Sequence, residues 1–135
     1  MPNQINPTRI FLAEDDNEDA DIFKEALSDL NLHTTLTVVQ NGILLMNLLE
    51  SSEQLPDIIF LDLNMPLKNG LQCLKEIKSS EKWKSLNIII LSTSSNKMQK
   101  EEMYSHGANF FLTKASSYKE FKDNLAGCIQ PSETV

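Results

Sequence analysis

Carboxylate, hydroxyl and ammonium side chains stand at a few positions of the chain where they could act together. Glu14 and Asp15 open an acidic segment, and Asp62 ends a strongly apolar stretch. Ser92 and Lys114 each follow a further apolar run. Such groups bind a hard divalent cation and neutralise an anionic group that is being transferred.

Charge repulsion indicates what a site built from these residues must hold. Glu14, Asp15 and Asp62 would repel each other strongly if they lay within a few ångströms, and burial would increase the repulsion. Mg²⁺ would remove it, because this cation binds carboxylate and carbonyl oxygens while keeping several water molecules. With Lys114 as a second positive charge, the site suits phosphoryl transfer, in which one carboxylate attacks in line and becomes an aspartyl phosphate. A purely structural role is unfavourable, because buried unpaired charges are costly.

Five brief apolar runs are the elements that must position these residues. They cover residues 10–13, 36–39, 58–61, 88–91 and 110–112. Most are continuous rather than alternating, as in parallel strands that are covered on both faces. Segments with helical spacing of apolar residues lie between them and after the last one. We therefore predict a β-α pattern repeated five times, which gives a parallel sheet with helices on both faces. Ligands bind such sheets at the carboxyl ends of the strands, where the polar segments lie.

The fourth helix is the least regular of these elements. Residues 97–106 have no strong apolar stripe, and the segment ends at Gly107, a residue type typical of the position after a helix. The weak stripe predicts that this helix docks loosely and is mobile.

Two segments allow more than one interpretation. Asp16, Glu18, Asp19 and Asp21 could be further metal ligands, but we favour the acidic first turn of helix one, which the helix dipole stabilises. The Asn-Gly pair at 41–42 could form a hairpin turn. The helical periodicity that follows favours a turn from a strand into a helix.

Length, composition and charge exclude several classes of protein. The chain has 135 residues, of which 41% are hydrophobic and 23% are charged, as in a single folded domain. Its 12 basic and 19 acidic residues give a net charge of −7, which argues against non-specific nucleic-acid binding and favours a cation or a basic partner. Cys73 and Cys128 have no metal-ligand spacing and suit a reducing compartment. No apolar run approaches the ~18 residues of a membrane helix, so we expect a cytoplasmic protein.

Four motifs in order resemble the receiver domain of two-component response regulators. They lie at residues 11–16, 60–66 with Gly70, 91–93 and 111–114. Asp62 and Ser92 are 30 residues apart and Ser92 and Lys114 are 22 apart, which agrees with the family. The resemblance implies a flavodoxin-like α/β fold with strand order 2-1-3-4-5. It implies one receiver domain over residues 1–135, with a core at about 8–130, short flexible tails and no output domain.

The resemblance also implies which residues bind the metal. Asp62 would be the phosphoacceptor and a ligand of Mg²⁺. Asp15 would bind Mg²⁺ directly, Glu14 would bind it through water, and Asn64 would contribute its backbone carbonyl.

Further residues would contact the phosphoryl group or respond to it. By resemblance, the Ser92 hydroxyl, the Lys114 ammonium and the backbone of Met65 would meet the phosphoryl oxygens. Phe111 stands where the family keeps a rotating aromatic residue that is coupled to the serine, so Ser92 and Phe111 would form the switch.

One position departs from the family pattern. The family usually has Lys-Pro after the fifth strand, often with a cis peptide bond, whereas this chain has Lys114-Ala115. A cis bond costs ~2.5–4 kcal/mol before alanine but only ~0.5–1 kcal/mol before proline. We favour the cis bond, because the metal–phosphate geometry needs the lysine in that place.

The resemblance implies a signalling protein that catalyses only its own phosphorylation and dephosphorylation, and that is not otherwise an enzyme. A sensor histidine kinase or a His-phosphotransfer protein would donate the phosphoryl group, and a downstream protein would read the result, with a homodimer left open. The motif wording is most similar to small receivers that are paired with phytochrome-type kinases. One alternative is a haloacid-dehalogenase-type phosphatase, but such enzymes carry Asp-x-Asp after the first strand and Asp62 is followed by Leu63-Asn64. The other is an unphosphorylated pseudo-receiver that only binds, against which the intact acidic cluster argues.

Overall fold

The computed structural model describes residues 7–94, 96–114 and 117–129. Apart from Pro7, the predicted tails lie outside these residues, and so does Ala115 with its peptide bond to Lys114. Five strands and five helices alternate along the chain, as the sequence predicts. They are β1 (Thr8–Ala13), α1 (Asn17–Leu30), β2 (Thr34–Val39), α2 (Gly42–Ser51), β3 (Ile58–Asp62), α3 (Gly70–Lys78), β4 (Asn87–Ser92), α4 (Lys97–Ser105), β5 (Phe110–Thr113) and α5 (Tyr118–Ile129).

All five strands are parallel and form one sheet in the order β2-β1-β3-β4-β5. The implied strand order is therefore confirmed. Every residue of the central strand β3 is buried, which explains why its sequence is continuously apolar until Asp62. The chain leaves β1 towards β2 and then crosses to β3 on the other side. The carboxyl ends of β1 and β3 therefore border the switch point where such folds bind ligands.

Each face of the sheet has its own apolar core. Helices α1 and α5 cover one face, where the Phe23 ring packs edge-on against Phe60 with ring centroids 4.9 Å apart. Phe23 also lies 6.2 Å from the ring of Phe121 in α5. Helices α2, α3 and α4 cover the opposite face. Because side chains alternate along each strand, the two cores fix which residues of a strand point to each face.

Side-chain caps place the starts of the helices at the carboxyl edge of the sheet. Asp16 caps α1 by accepting a hydrogen bond from the backbone N–H of Asp19 at 3.0 Å. Asn41 caps α2 in the same way from Leu44 at 2.8 Å, so the Asn-Gly pair does form a strand-to-helix turn. The α3 start has a complete capping box.

Helix α4 is docked mainly at its carboxyl end. Within α4, all of which is described, Met103 is the one buried residue, while Met98 in the first turn is 78% exposed. Gly107 follows the helix with φ of +101°, as predicted for a terminating glycine. The aliphatic part of the Lys78 side chain lies beside Gly107, and its ammonium donates to a side-chain oxygen of Asn109 at 3.1 Å. The sparse burial agrees with the predicted loose docking. No helix in the described part of the chain has the length and apolar character of a membrane span.

Candidate functional site

Backbone hydrogen bonds between strands bring the predicted site residues to one edge. Glu14 directly follows β1, and its N–H donates to the Val39 carbonyl at 2.9 Å. Asp62 is the last residue of β3. Lys114 directly follows β5, and its N–H donates to the Ser92 carbonyl at 2.7 Å. The sheet thus aligns segments that are up to 100 residues apart in sequence.

Three carboxylates form a cluster at this edge. One carboxylate oxygen each from Glu14, Asp15 and Asp62 lies within 4.8 Å of the others. Glu14 is 2% exposed and Asp62 is 5% exposed, whereas Asp15 is open to solvent. The three carboxylate residues predicted as metal ligands are therefore close enough to share one cation, and the site is open through Asp15.

The protonation of Glu14 reflects this crowding. Burial, followed by its hydrogen bond to Asp62, raises the pKa of Glu14 from 4.5 to about 8. A Glu14 carboxyl oxygen also accepts a hydrogen bond from the backbone N–H of Asp16 at 3.2 Å. A proton therefore relieves the repulsion at neutral pH when no cation does so. Hard oxygen donors in this arrangement fit Mg²⁺ or Mn²⁺.

The Lys114 ammonium lies among three carboxylates. Its Nζ is 2.7 Å from a Glu14 oxygen, 2.9 Å from an Asp19 oxygen and 3.5 Å from an Asp62 oxygen. Burial alone would lower the pKa of Lys114, but the hydrogen bonds to Glu14 and Asp19 and the charge of Asp62 raise it above its ordinary value. The lysine therefore remains charged. The predicted neighbourhood of Lys114 and Asp62 is present, although the two closer partners are other carboxylates.

Asp19 is a site residue that the sequence interpretation missed. It does lie in the first turn of α1, as predicted, but its carboxylate points to Lys114 rather than only to solvent. Asp21 is also acidic and lies in the same helix, yet it is exposed. In the sequence, the one indication of this contact is that Asp19 directly precedes Ala20, where the buried face of α1 begins.

Ser92 is 2% exposed at the end of β4, next to the strand that carries Asp62. Its hydroxyl donates to the side-chain oxygen of Gln99 at 3.3 Å and accepts the N–H of Ser94 at 3.1 Å. Gln99 belongs to the first turn of α4 and was not predicted as a site residue. The hydroxyl expected to contact a phosphoryl group is thus bonded to α4 in this state.

Phe111 is 5% exposed and belongs to the core on the α2–α3–α4 face. The preceding Phe110 points outward and is 47% exposed, as alternation along β5 requires. The ammonium of Lys100 in α4 lies 5.7 Å from the Phe111 ring centroid. The aromatic residue expected to take part in a switch is in a buried orientation and touches α4.

The loop after β3 is tightly folded against the phosphoacceptor candidate. Asn64 is exposed, and its N–H donates to an Asp62 carboxylate oxygen at 3.2 Å. The side chain of Met65 is 8% exposed, which anchors the loop in the core. A Cβ atom at Gly70 would lie 2.5 Å from the Asp62 carbonyl oxygen, so the close approach of α3 needs glycine there.

A family model confirms what the motifs suggest. The model for the response regulator receiver domain matches residues 10–126. The chain belongs to this family. The receiver is a protein of two-component signal transduction, and the phosphatase alternative is not favoured.

Several known receivers are similar to this one along nearly their whole length. Response regulator Rcp1 of Synechocystis is 30% identical over 133 residues, which cover 94% of this chain and 90% of Rcp1. The crystal structure of the phosphorylated cyanobacterial phytochrome response regulator RcpA is 29% identical with a TM-score of 0.84, and covers 95% of this chain and 97% of that one. The Mn²⁺-bound form of Rcp1 has 26% identity and a TM-score of 0.84 over 96% and 99% of the chains. The predicted similarity to phytochrome-linked receivers is therefore confirmed.

Proposed function

We propose that Asp62 accepts a phosphoryl group in the presence of Mg²⁺, and that this receiver thereby changes its binding to a protein partner. One observation carries the proposal. Asp62 is almost fully buried and yet stands within 4.8 Å of two further carboxylates and 3.5 Å from an ammonium. Such a concentration of charge is unfavourable for stability alone, and it is the arrangement that phosphoryl transfer requires.

The metal ion would be held by the acidic cluster and the loop after β3. Asp15 and Asp62 are proposed as direct ligands, with Glu14 acting through water and the backbone carbonyl of Asn64 completing the protein donors. When bound there, Mg²⁺ would supply positive charge that offsets the negative charge of the transferred group. The similar Rcp1 has a Mn²⁺-bound form, which supports a divalent metal as the ion for the acidic cluster of this chain.

The chain's own residues carry the transfer. An Asp62 carboxylate oxygen attacks the phosphorus of a phosphohistidine on the donor, and a P–O bond forms as the P–N bond breaks. The electron pair of that bond stays on the imidazole nitrogen. Lys114 neutralises charge on the phosphoryl oxygens, and the Ser92 hydroxyl and the backbone N–H of Met65 donate to them. Apart from this step and the hydrolysis of the aspartyl phosphate by water, which releases inorganic phosphate and restores the Asp62 carboxylate, we propose no enzymatic activity.

The response begins at Ser92. Its hydroxyl cannot donate to Gln99 and to a phosphoryl oxygen at the same time, because a hydroxyl has a single proton. Loss of the bond to Gln99 would weaken the docking of α4, and Phe111 lies beside the same helix. The proposed donor is a sensor histidine kinase or a His-phosphotransfer protein, and the proposed reader is a downstream protein that recognises the altered α4 and β5.

Incubation with Mg²⁺ and acetyl phosphate tests the proposal, with intact mass as the readout. We expect a gain of one phosphoryl group, which Asp62→Asn removes and Asp21→Asn, a change on the exposed face of α1, does not. No gain in the unaltered protein would indicate a pseudo-receiver, and continuous release of phosphate from simple esters would indicate a phosphatase. Either result would overturn the proposal.

A further inference from the structure

We propose that Asp19 is a positioning residue, which holds the Lys114 ammonium where the phosphoryl oxygens arrive and so accelerates the phosphorylation of Asp62. The inference rests on the proposed roles of Asp62 and Lys114 and assigns a role to a residue outside both the acidic cluster and the motifs. It starts from one contact, in which an Asp19 carboxylate oxygen lies 2.9 Å from the lysine Nζ.

The distribution of carboxylates around the lysine gives Asp19 a distinct part. Glu14 and Asp62 also contact Lys114, but both belong to the cluster that would share a divalent cation. Oxygens that face a cation are less available to an ammonium, since the two positive charges compete for them. In the described part of the chain, Asp19 is the carboxylate partner of Lys114 that lies outside this cluster. Its hold on the lysine therefore persists when the metal is bound.

The backbone of Asp19 is held firmly at the start of α1. Its N–H donates to the side chain of the helix cap Asp16 at 3.0 Å. One turn later in the same helix, Phe23 packs between Phe60 of the sheet and Phe121 of α5. The carboxylate thus extends from a fixed point, which is what a positioning residue requires.

The Lys114 side chain needs such a partner because its surroundings leave room. A cavity of about 430 Å³ lies between α1 and α5, and Asp19 and Lys114 both form part of its wall. A lysine has a flexible four-carbon stem, so an ammonium beside an open cavity can adopt several positions. The bond to Asp19 restricts the ammonium to a position in which it also lies 3.5 Å from an Asp62 oxygen. Asp19 is partly exposed, with a side chain 35% accessible, so the restriction is moderate rather than absolute.

The decisive measurement is the initial rate of phosphorylation by acetyl phosphate at saturating Mg²⁺. We expect Asp19→Ala to lower the rate by roughly 3- to 10-fold, since one charge-assisted hydrogen bond is lost while that to Glu14 remains. Asp19→Asn keeps a hydrogen-bond acceptor without the charge, so its rate should lie between those of the unaltered protein and Asp19→Ala. Asp21→Ala is the matched control from the exposed face of α1 and should keep the full rate. A rate for Asp19→Ala at or above that of the unaltered protein would overturn the proposal.

A double-mutant comparison separates positioning from a general structural effect. If Asp19 acts through Lys114, then Asp19→Ala should cause no further loss of rate in a Lys114→Ala background. The affinity for Mg²⁺ should differ by less than about twofold between Asp19→Ala and the unaltered protein, because Asp19 does not belong to the metal cluster. Titration with Mg²⁺, followed by fluorescence or calorimetry, measures this affinity. An equal loss in both backgrounds would show that Asp19 acts independently of the lysine and would contradict the inference.

One readout does not depend on phosphorylation at all. In a ¹H–¹⁵N spectrum of lysine ammonium groups, the hydrogen-bonded Lys114 should give a signal that Asp19→Ala broadens or removes and Asp21→Ala leaves unchanged. If the Lys114 signal responds to the two variants in this way but the unaltered protein accepts no phosphoryl group, the proposed function fails while the Asp19–Lys114 contact stands. If the signal is indifferent to Asp19→Ala, the positioning role fails whatever the phosphorylation assay gives.

Discussion

The burial of Glu14 predicts that the metal-free receiver loses stability as the pH rises through the neutral range. Burial, together with the hydrogen bond to Asp62, raises the pKa of this carboxyl from 4.5 to about 8 in the folded protein. In the unfolded chain the same group titrates at its ordinary pKa. Between these values the folded state binds more protons than the unfolded state, so the free energy of unfolding falls with increasing pH.

The size of the effect follows from the difference between the two pKa values. Each pH unit inside the window changes the contribution of Glu14 by ~1.4 kcal/mol. From pH 5.5 to pH 7.5 the free energy of unfolding should therefore fall by roughly 2–3 kcal/mol on account of this group. Glu14→Gln has no proton to release, so its stability should lack this part of the pH dependence.

Urea unfolding in the presence of a chelator, at several pH values between 5.5 and 7.5, measures how the free energy of unfolding of Glu14→Gln and of the unaltered protein depends on pH. Glu53→Gln, a change at an exposed glutamate, should retain the slope of the unaltered protein. Saturating Mg²⁺ should remove this pH dependence for the unaltered protein, because metal binding displaces the Glu14 proton and the folded and unfolded states then bind equal numbers of protons at this group. Identical slopes for Glu14→Gln and the unaltered protein would refute the account of the acidic cluster given above.

Three further outcomes follow from the packing and from the contacts of α4. Gly70→Ala should destabilise the fold by about 1–3 kcal/mol, because the new Cβ would lie 2.5 Å from the Asp62 carbonyl oxygen, and thermal unfolding would show it; an unchanged melting temperature would contradict this. Phe23→Ala should cost about 3–5 kcal/mol in urea unfolding, since it removes the ring that packs between α5 and the sheet, and a loss below 1 kcal/mol would be incompatible with that packing. Gln99→Ala should increase amide hydrogen exchange in α4 by about 2- to 10-fold and leave α1 unchanged, because it removes the bond from the Ser92 hydroxyl; equal protection in both proteins would argue against that bond.

The fold could be predicted because its main determinants are local. Continuous apolar runs mark strands that are covered on both faces, and β3 shows this most fully, since all five of its residues are buried. The site residues Asp62 and Lys114 could be predicted for a related reason. Each directly ends or follows a strand, and a parallel sheet brings the ends of its strands to one edge whatever the distance along the chain.

The partners of helical polar residues could not be predicted in the same way. Asp19 and Asp21 are both acidic and only two residues apart, and which of them meets Lys114 depends on how α1 is rotated against the sheet. That rotation is set by Phe23 and its aromatic neighbours, which are distant in sequence. Gln99 was missed for a similar reason. Its helix has a weak apolar stripe, so the sequence gives little indication of which side faces Ser92.

Helix α4 is attached unevenly, so a rotation about its anchored carboxyl end would move its amino end most. The buried Met103 anchors its carboxyl end in the core, while its amino end is joined through Gln99 to Ser92 at the carboxyl edge of the sheet. A nine-residue helix is ~13 Å long, so a turn of about 10° around the fixed end would displace the first turn by roughly 2 Å. Under the proposed function, reorientation of the Ser92 hydroxyl would thereby be expressed as a shift in surface shape at the amino end of α4.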